Sequence, residues 1–283
     1  MINIIDGKKI AKKIRENIKE KALLLRQKSI IPTICVIIVG DNKASRSYVN
    51  SKHKACMQNE INSIIREFEE NIKGEILLEE IDKLNNDKNI HGILVQLPLP
   101  KHINAMKVLE KISPEKDVDG FNPINVGKLN LGIATLIPCT PLGIIKLIES
   151  TKEDIEGKNA LVIGRSNIVG KPVASLLLNK NATVTIAHSK TTNLKELVAE
   201  ADIIVSCVGK AHFLTTDYVY KNNATIIDVG NNYKDGKLVG DVDFLNVKEK
   251  VKYISPVPGG VGPMTITMLM HNTLLACEDQ INL

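Results

Sequence analysis

Leu161-Val162-Ile163-Gly164-Arg165-Ser166-Asn167-Ile168-Val169-Gly170-Lys171-Pro172 decides the fold. An apolar run closes on a glycine, a short polar turn follows, and a second glycine opens a helix. Glycines at such a turn let backbone amides approach a pyrophosphate, and the helix N-terminus adds free N–H donors and partial positive charge. The pattern is G-x-S-x-x-x-G-x-P rather than G-x-G-x-x-G, so on spacing alone it also fits an ordinary strand-to-helix connection. The next strand ends Ala187-His188-Ser189-Lys190, without the carboxylate that usually holds an adenosine ribose 2′-hydroxyl. Arg165 and Lys190 at the ends of two successive strands suit a 2′-phosphate, which favours NADP over NAD. As isolated positions they also read as solvated surface charges.

Outward from this turn, short apolar runs alternate with helical periodicity. Strands are expected at Ala160–Ile163, Thr183–Ala187, Asp202–Cys207 and Thr225–Val229 on one side, and at Thr33–Val39, Ile61–Phe68 and Gly92–Val95 on the other. Helices are expected around Ile10–Leu25, Ala44–Asn59, Gly74–Leu84 and Ile103–Ile112, from Val169 onward, and at Thr265–Ala276. Apolar strands alternating with helices imply parallel sheets covered on both faces, an α/β fold. The 283 residues suffice for two domains. Pro138-Cys139-Thr140-Pro141 marks the expected junction. This gives an N-terminal α/β domain over 1–139 and a Rossmann-type domain over 140–264, with a cleft between them and a C-terminal helix (265–283) returning to the first.

Composition narrows the function. A net charge of +5 is mild and spread along the chain, aromatics are 3% and Trp is absent, so a nucleic-acid surface built on base stacking is not expected. The five cysteines are far apart, and the histidines lack ligand spacing, so no metal site is expected. No apolar run is long enough to cross a membrane, and the first residues do not resemble a secretory signal. A soluble, cytoplasmic protein is the expectation.

Four other stretches bear chemistry. Tyr48 and Lys52 stand at i, i+4 on one helix face, continued by Ala55 and Cys56. A lysine beside apolar surface loses solvation, which lowers its pKa toward a range useful for proton transfer; a snorkelling lysine beside a packed tyrosine has the same spacing. Gln96 follows the carboxyl end of a strand in Gly92–Pro100, where it can hold a ligand, orient a lysine or satisfy loop backbone. Asp117 and Asp119 alternate in Pro114–Phe121. They read as metal ligands, though no third ligand lies nearby, as acid–base groups, as one carboxylate gripping a guanidine-like ring edge, or as a loop closed by Asx bonds. Pro256-Val257-Pro258-Gly259-Gly260-Val261-Gly262-Pro263-Met264-Thr265 is a glycine-rich turn before a helix, with amides exposed for a polar ligand.

These stretches, in this order, resemble the bifunctional methylenetetrahydrofolate dehydrogenase/methenyltetrahydrofolate cyclohydrolase family over nearly the whole chain. The resemblance implies NADP-linked oxidation of 5,10-methylenetetrahydrofolate, then hydrolysis of the methenyl product to 10-formyltetrahydrofolate, in one-carbon folate metabolism. It implies catalytic roles for Lys52, Tyr48, Gln96 and Asp119. The same four would bind the folate, together with Pro258, Gly259 and Gly260. Cofactor contacts are implied at Gly164, Arg165, Ser166, Ile168, Gly170, Ser189 and Asn231. Position 231 is a departure, since the family generally carries an aliphatic or threonine residue there. A homodimer is implied as well. A monofunctional dehydrogenase and a non-catalytic nucleotide-binding relative are the alternative expectations.

Overall fold

The computed structural model describes residues 3–281. In chain order the elements are β1 (Asn3–Ile4), α1 (Gly7–Gln27), β2 (Thr33–Val39), α2 (Lys43–Gln58), β3 (Asn62–Phe68), α3 (Gly74–Asn86), β4 (Gly92–Val95), α4 (Ala105–Lys111), α5 (Pro123–Asn130) and α6 (Cys139–Glu149). Then come β5 (Asn159–Ile163), α7 (Gly170–Leu178), β6 (Thr183–Ala187), α8 (Leu194–Glu200), β7 (Ile203–Ser206) and β8 (Thr225–Asp228). A hairpin of β9 (Asn232–Lys234) and β10 (Lys237–Val239) follows, then α9 (Phe244–Val247), β11 (Tyr253–Ile254) and α10 (Val261–Ile281). Residues 282–283 of the expected C-terminal helix lie outside the described residues.

The chain forms two compact units, with a division between Cys139 and Thr140. The first ten or so residues, through Lys12, group with Thr140–Thr265, and the segment from Ile266 onward groups with Lys13–Cys139.

In the Lys13–Cys139 unit, a parallel sheet in the order β3-β2-β4 places β2 at its centre. All of Thr33–Val39 is buried, as its unbroken run of β-branched and apolar residues requires. Leu77, Ile81 and Leu84 of α3 pack with Cys35, Ile37, Ile93 and Val95 on one face. Each such fully buried aliphatic side chain contributes about 1.5–3 kcal/mol relative to exposure. Gly92 is dictated by packing, because a Cβ there would lie 2.6 Å from the Val118 side chain. From α10, Asn272 donates to the carbonyls of Val118 and Ile137, and Gln280 donates to those of His91 and Glu115.

The other unit is built on a six-stranded sheet in the order β1-β11-β8-β7-β5-β6, with every pairing parallel. Its core joins Leu161, Ile163, Ile204 and Ile226 to Val198, Val242 and Val247. One expectation fails here: β6 is not covered on both faces. It is the edge strand, paired only with β5, and Thr183, Thr185 and Ile186 are exposed. An edge position relaxes the demand for burial, which its Thr-Val-Thr pattern already hints at.

Other differences have local causes. Helix α4 starts at Ala105 rather than Ile103, because the Asn104 side chain caps it by accepting from the amides of Met106 and Lys107. Helix α10 starts at Val261 and takes Gly262 and Pro263 into its first turn, where the missing proline N–H costs no helical bond. Pro141 sits likewise in the first turn of α6, so two prolines that read as an interruption introduce a helix.

Candidate functional site

Helix α2 is capped by Asn42, whose side chain accepts from the amides of Ala44 and Ser45. One face of the helix, Val49, Lys52, Ala55 and Cys56, is buried. Lys52 is therefore only 8% exposed, yet its ammonium is not stranded: Nζ donates to Gln96 Oε1 at 3.0 Å. The same ammonium lies 5.9 Å from the centroid of the Tyr48 ring, which is itself 41% exposed. Gln96 is held at both ends. Its backbone N–H donates to Ile37 O at 2.8 Å, extending the β4–β2 ladder, and its side-chain amide donates to Leu97 O at 2.7 Å. With Nε2 committed, Oε1 has to face the lysine.

The two aspartates of the following loop divide their work. Asp117 closes the loop, accepting from the amides of Gly120 and Asn122 and from Asn125 Nδ2 at 2.9 Å. Burial pushes its carboxyl up to about 6 even against these donors. Asp119 is the one whose carboxyl feels the Lys52 charge. Burial raises its pKa, while the Lys52 charge and a hydrogen bond from Cys139 pull it back down. Cys139 itself is raised well above the ordinary thiol range, first by burial and then by the Asp119 charge, so it stays a thiol, its sulfur 3.2 Å from Val118 O as the alternative acceptor for its one proton. Lysine, amide, tyrosine ring and carboxylate thus meet in one unit. Of the readings of the alternating acids, loop closure by the side chain holds for Asp117.

In the six-stranded unit, β5 ends in the glycine turn. Gly164 has φ +128°, and a Cβ there would lie 2.6 Å from both the Cys207 carbonyl oxygen and its sulfur. A Cβ on Gly170 would lie 2.3 Å from Gly164 O, so only glycine allows the helix start to fold against the turn. Ser166 Oγ accepts from the amides of Val169 and Gly170 at the start of α7. Arg165, Ser166, Asn167 and Ile168 are exposed. Ser189 and Lys190 are exposed at the end of β6, in a turn closed by His188 N donating to Thr191 Oγ1 at 2.9 Å and Lys190 N donating to His188 Nδ1 at 3.2 Å. A cradle that any Cβ would fill, beside exposed amides and two exposed cations, fits a phosphorylated dinucleotide. Asn231 is exposed just beyond β8. Pro258, Gly259 and Gly260 follow β11, where Gly259 has φ +112° and its carbonyl accepts from Lys8 N at 3.1 Å.

Two residues escaped the sequence reading. Asp228 accepts from the amides of Gly230, Asp241 and Val242, and burial raises it to about 6. Asp241 accepts from a further set of donors around the end of β7. The signal was present in Asp228-Val229-Gly230 and Gly240-Asp241-Val242, acids flanked by glycine, but which strands they join is not visible in spacing. Among the described residues, no group of three or more His, Cys, Asp or Glu is placed to hold a metal ion, and no helix is long and apolar enough to cross a membrane.

The parallel six-stranded sheet and its glycine turn at a helix start define a Rossmann-type dinucleotide-binding protein, with a second α/β unit that carries a buried lysine cluster. The family profile for the tetrahydrofolate dehydrogenase/cyclohydrolase catalytic domain matches residues 5–119, and the profile for the NAD(P)-binding domain of the same family matches residues 138–281. The chain belongs to the tetrahydrofolate dehydrogenase/cyclohydrolase family. It is 56% identical over 272 residues to the bifunctional protein FolD of Bacillus anthracis, covering 96% of this chain and 95% of that one. The crystal structure of the bifunctional FolD of Campylobacter jejuni superimposes with a TM-score of 0.97 at 49% identity, covering 99% of each chain. The Trypanosoma brucei FolD, crystallised with NADP cofactor and an inhibitor, superimposes with a TM-score of 0.94 at 38% identity, covering 100% of this chain and 99% of that one.

Proposed function

We propose that the protein is an NADP-dependent 5,10-methylenetetrahydrofolate dehydrogenase that also hydrolyses the 5,10-methenyl product to 10-formyltetrahydrofolate. The observation that carries this reading is the Lys52–Gln96 hydrogen bond at 3.0 Å, with the Lys52 charge acting on the Asp119 carboxyl. Folate is assigned to the Lys13–Cys139 unit and the dinucleotide to the Thr140–Thr265 unit.

NADP+, when bound, supplies the acceptor for the hydride that leaves the methylene carbon. The chain's part in that step is alignment, since the cation produced is shared between the two folate nitrogens. The turn from Gly164 to Ile168, with Gly170 behind it, is assigned to the phosphates, Gly164 N and the first amides of α7 being already bonded to Ala187 O and Ser166. Arg165, Ser189 and Lys190 are assigned to the 2′-phosphate, and Asn231 to a backbone contact.

In the second step water adds to the methenyl carbon and one of its protons is released to solvent with the positive charge; one carbon–nitrogen bond then breaks as the remaining proton moves from the added oxygen to the released nitrogen, leaving the formyl C=O. Lysine has three N–H donors and Gln96 takes one, so Lys52 can meet both the water and the nitrogen as the proton passes. Gln96 fixes where that ammonium stands, and the Tyr48 ring flanks it. Asp119 is assigned to the donor edge of the pterin ring. Pro258, Gly259 and Gly260 are assigned to ligand contact by the family resemblance, which also supports a homodimer in the cytoplasm; light scattering should then return twice the chain mass.

The test follows NADPH and methenyltetrahydrofolate at separate wavelengths. NADPH should appear when methylenetetrahydrofolate and NADP+ are mixed with the protein, and added methenyltetrahydrofolate should decay without dinucleotide. NADPH formation with no enzymatic decay would reduce the protein to a monofunctional dehydrogenase. NADP+ binding with neither change would remove the catalytic reading.

A further inference from the structure

In an open parallel sheet, the ligand crevice lies beyond the carboxyl ends of the strands where the strand order reverses. Here β5 leads through α7 to β6 on one side, and the chain then crosses to β7 on the other. The reversal therefore falls between β5 and β7. One wall of that crevice is the glycine turn after β5. The opposite wall has to be the loop after β7, Cys207-Val208-Gly209-Lys210. The two touch, because a Cβ on Gly164 would meet Cys207.

What fixes the second wall is a carboxylate from far along the chain. Asp241 is fully buried. Its Oδ2 accepts from Val208 N at 2.7 Å, Gly209 N at 3.2 Å and Ser206 Oγ at 3.4 Å. Its Oδ1 accepts from Lys210 N at 3.0 Å and Asn232 Nδ2 at 2.9 Å. Three consecutive amides held by one carboxylate fix the path of the loop backbone, so this one residue sets its course. Asp241 is in turn held by Asp228, which accepts from its backbone N–H at 2.8 Å. The packing leaves no slack: a Cβ on Gly230 would lie 2.1 Å from Asp241 N.

We infer that Asp241 is the positioning residue of the Cys207–Lys210 loop, and so acts on dinucleotide binding through that wall of the crevice. The inference rests on the dinucleotide reading of this unit, and it assigns no contact with the cofactor to Asp241 itself. An amide at position 241 would turn a donor toward the loop's own donors and release it.

The full-length Asp241→Asn variant tests this by calorimetric titration with NADP+, beside the rate of methenyltetrahydrofolate hydrolysis without dinucleotide. The expected result is a Kd for NADP+ at least tenfold weaker, with hydrolysis within twofold of the wild type. An unchanged Kd, or equal losses in both measurements, overturns the inference. Should the variant fail to fold, Gly209 decides. It has φ +68° and open space where a Cβ would go, so a substitution there strains only the backbone. Gly209→Ala should weaken NADP+ about fivefold, and Gly209→Asn, which tolerates this conformation better, should recover most of it. Equal affinity in wild type and both variants overturns the inference. The titration needs no turnover, so an inactive wild type that binds NADP+ would count against the catalytic reading alone.

Discussion

Helices α2 and α7 present their residues in opposite ways. Helix α2 offers its flank: Asn42 caps its start, and the working groups Tyr48 and Lys52 stand on its side. Helix α7 offers its end: Ser166 Oγ accepts from the amides of Val169 and Gly170, and the exposed part is the backbone turn before them, Arg165–Ile168. The first arrangement makes function depend on particular side chains held in a buried setting. The second makes it depend on where glycine permits the backbone to go.

The largest expected effect separates the two outright. Lys52→Met should lower methenyltetrahydrofolate hydrolysis by about 10²–10⁴-fold, the range of a lost proton-transfer group. NADP+ affinity, read by titration, should not move. An unimpaired hydrolysis rate would take Lys52 out of its role and with it the flank half of the contrast.

Next is the cost of supporting the flank. Asp117 titrates at about 6 in the folded protein against an ordinary 3.8, so the folded state holds its proton more tightly than the unfolded chain. Its stabilising contribution is fully present below about pH 4 and is lost as pH rises through 6, on the order of 3 kcal/mol for a shift of this size. Stability measured by urea melts should therefore show a component that rises on acidification from pH 7 to pH 4. Asp117→Asn should flatten that slope while Asp228 retains its own share. A slope identical to wild type would mean that Asp117 is not the group responsible.

Smaller changes belong to the helix end. Replacing Arg165 and Lys190 together with serine should cut the preference for NADP+ over NAD+ about tenfold, since exposed charge-assisted bonds are worth only ~1–2 kcal/mol. The ratio of kcat/KM for the two dinucleotides reads this, and an unaltered ratio would place the 2′-phosphate elsewhere. Smallest is Asn42→Ala, which removes the cap of α2 and should cost ~1 kcal/mol in a denaturant melt while leaving NADP+ affinity untouched.

Much of the molecule was legible in advance. The buried runs of β2, β4, β5, β7 and β8 announce themselves because a strand covered on both faces has no polar positions to alternate with. The helix α2 face was readable because Tyr48 and Lys52 share one spacing rule. Helices α5 and α6 were not, since glycine and proline density in that stretch resembles a connector until Asn122 is seen capping one helix and Pro141 entering the first turn of the other. The strands β1 and β11 are only two residues long and exist through their pairing, which carries no local signature.

Local chemistry alone settled that this chain builds parallel sheets, that glycine occupies a tight strand-to-helix turn, and that a lysine and a tyrosine share a helix face. Long-range packing settled the rest. It assigned Asp117 to the loop, set the Asp119 carboxyl under the influence of the Lys52 charge, committed one end of the Gln96 amide so that the other faces Lys52, and brought Asp241 back to the end of β7. The physical reason is that periodicity reports what a residue does with its immediate neighbours. A buried carboxylate is defined by its donors, and the chain delivers those from segments whose separation along the sequence says nothing about their distance in space.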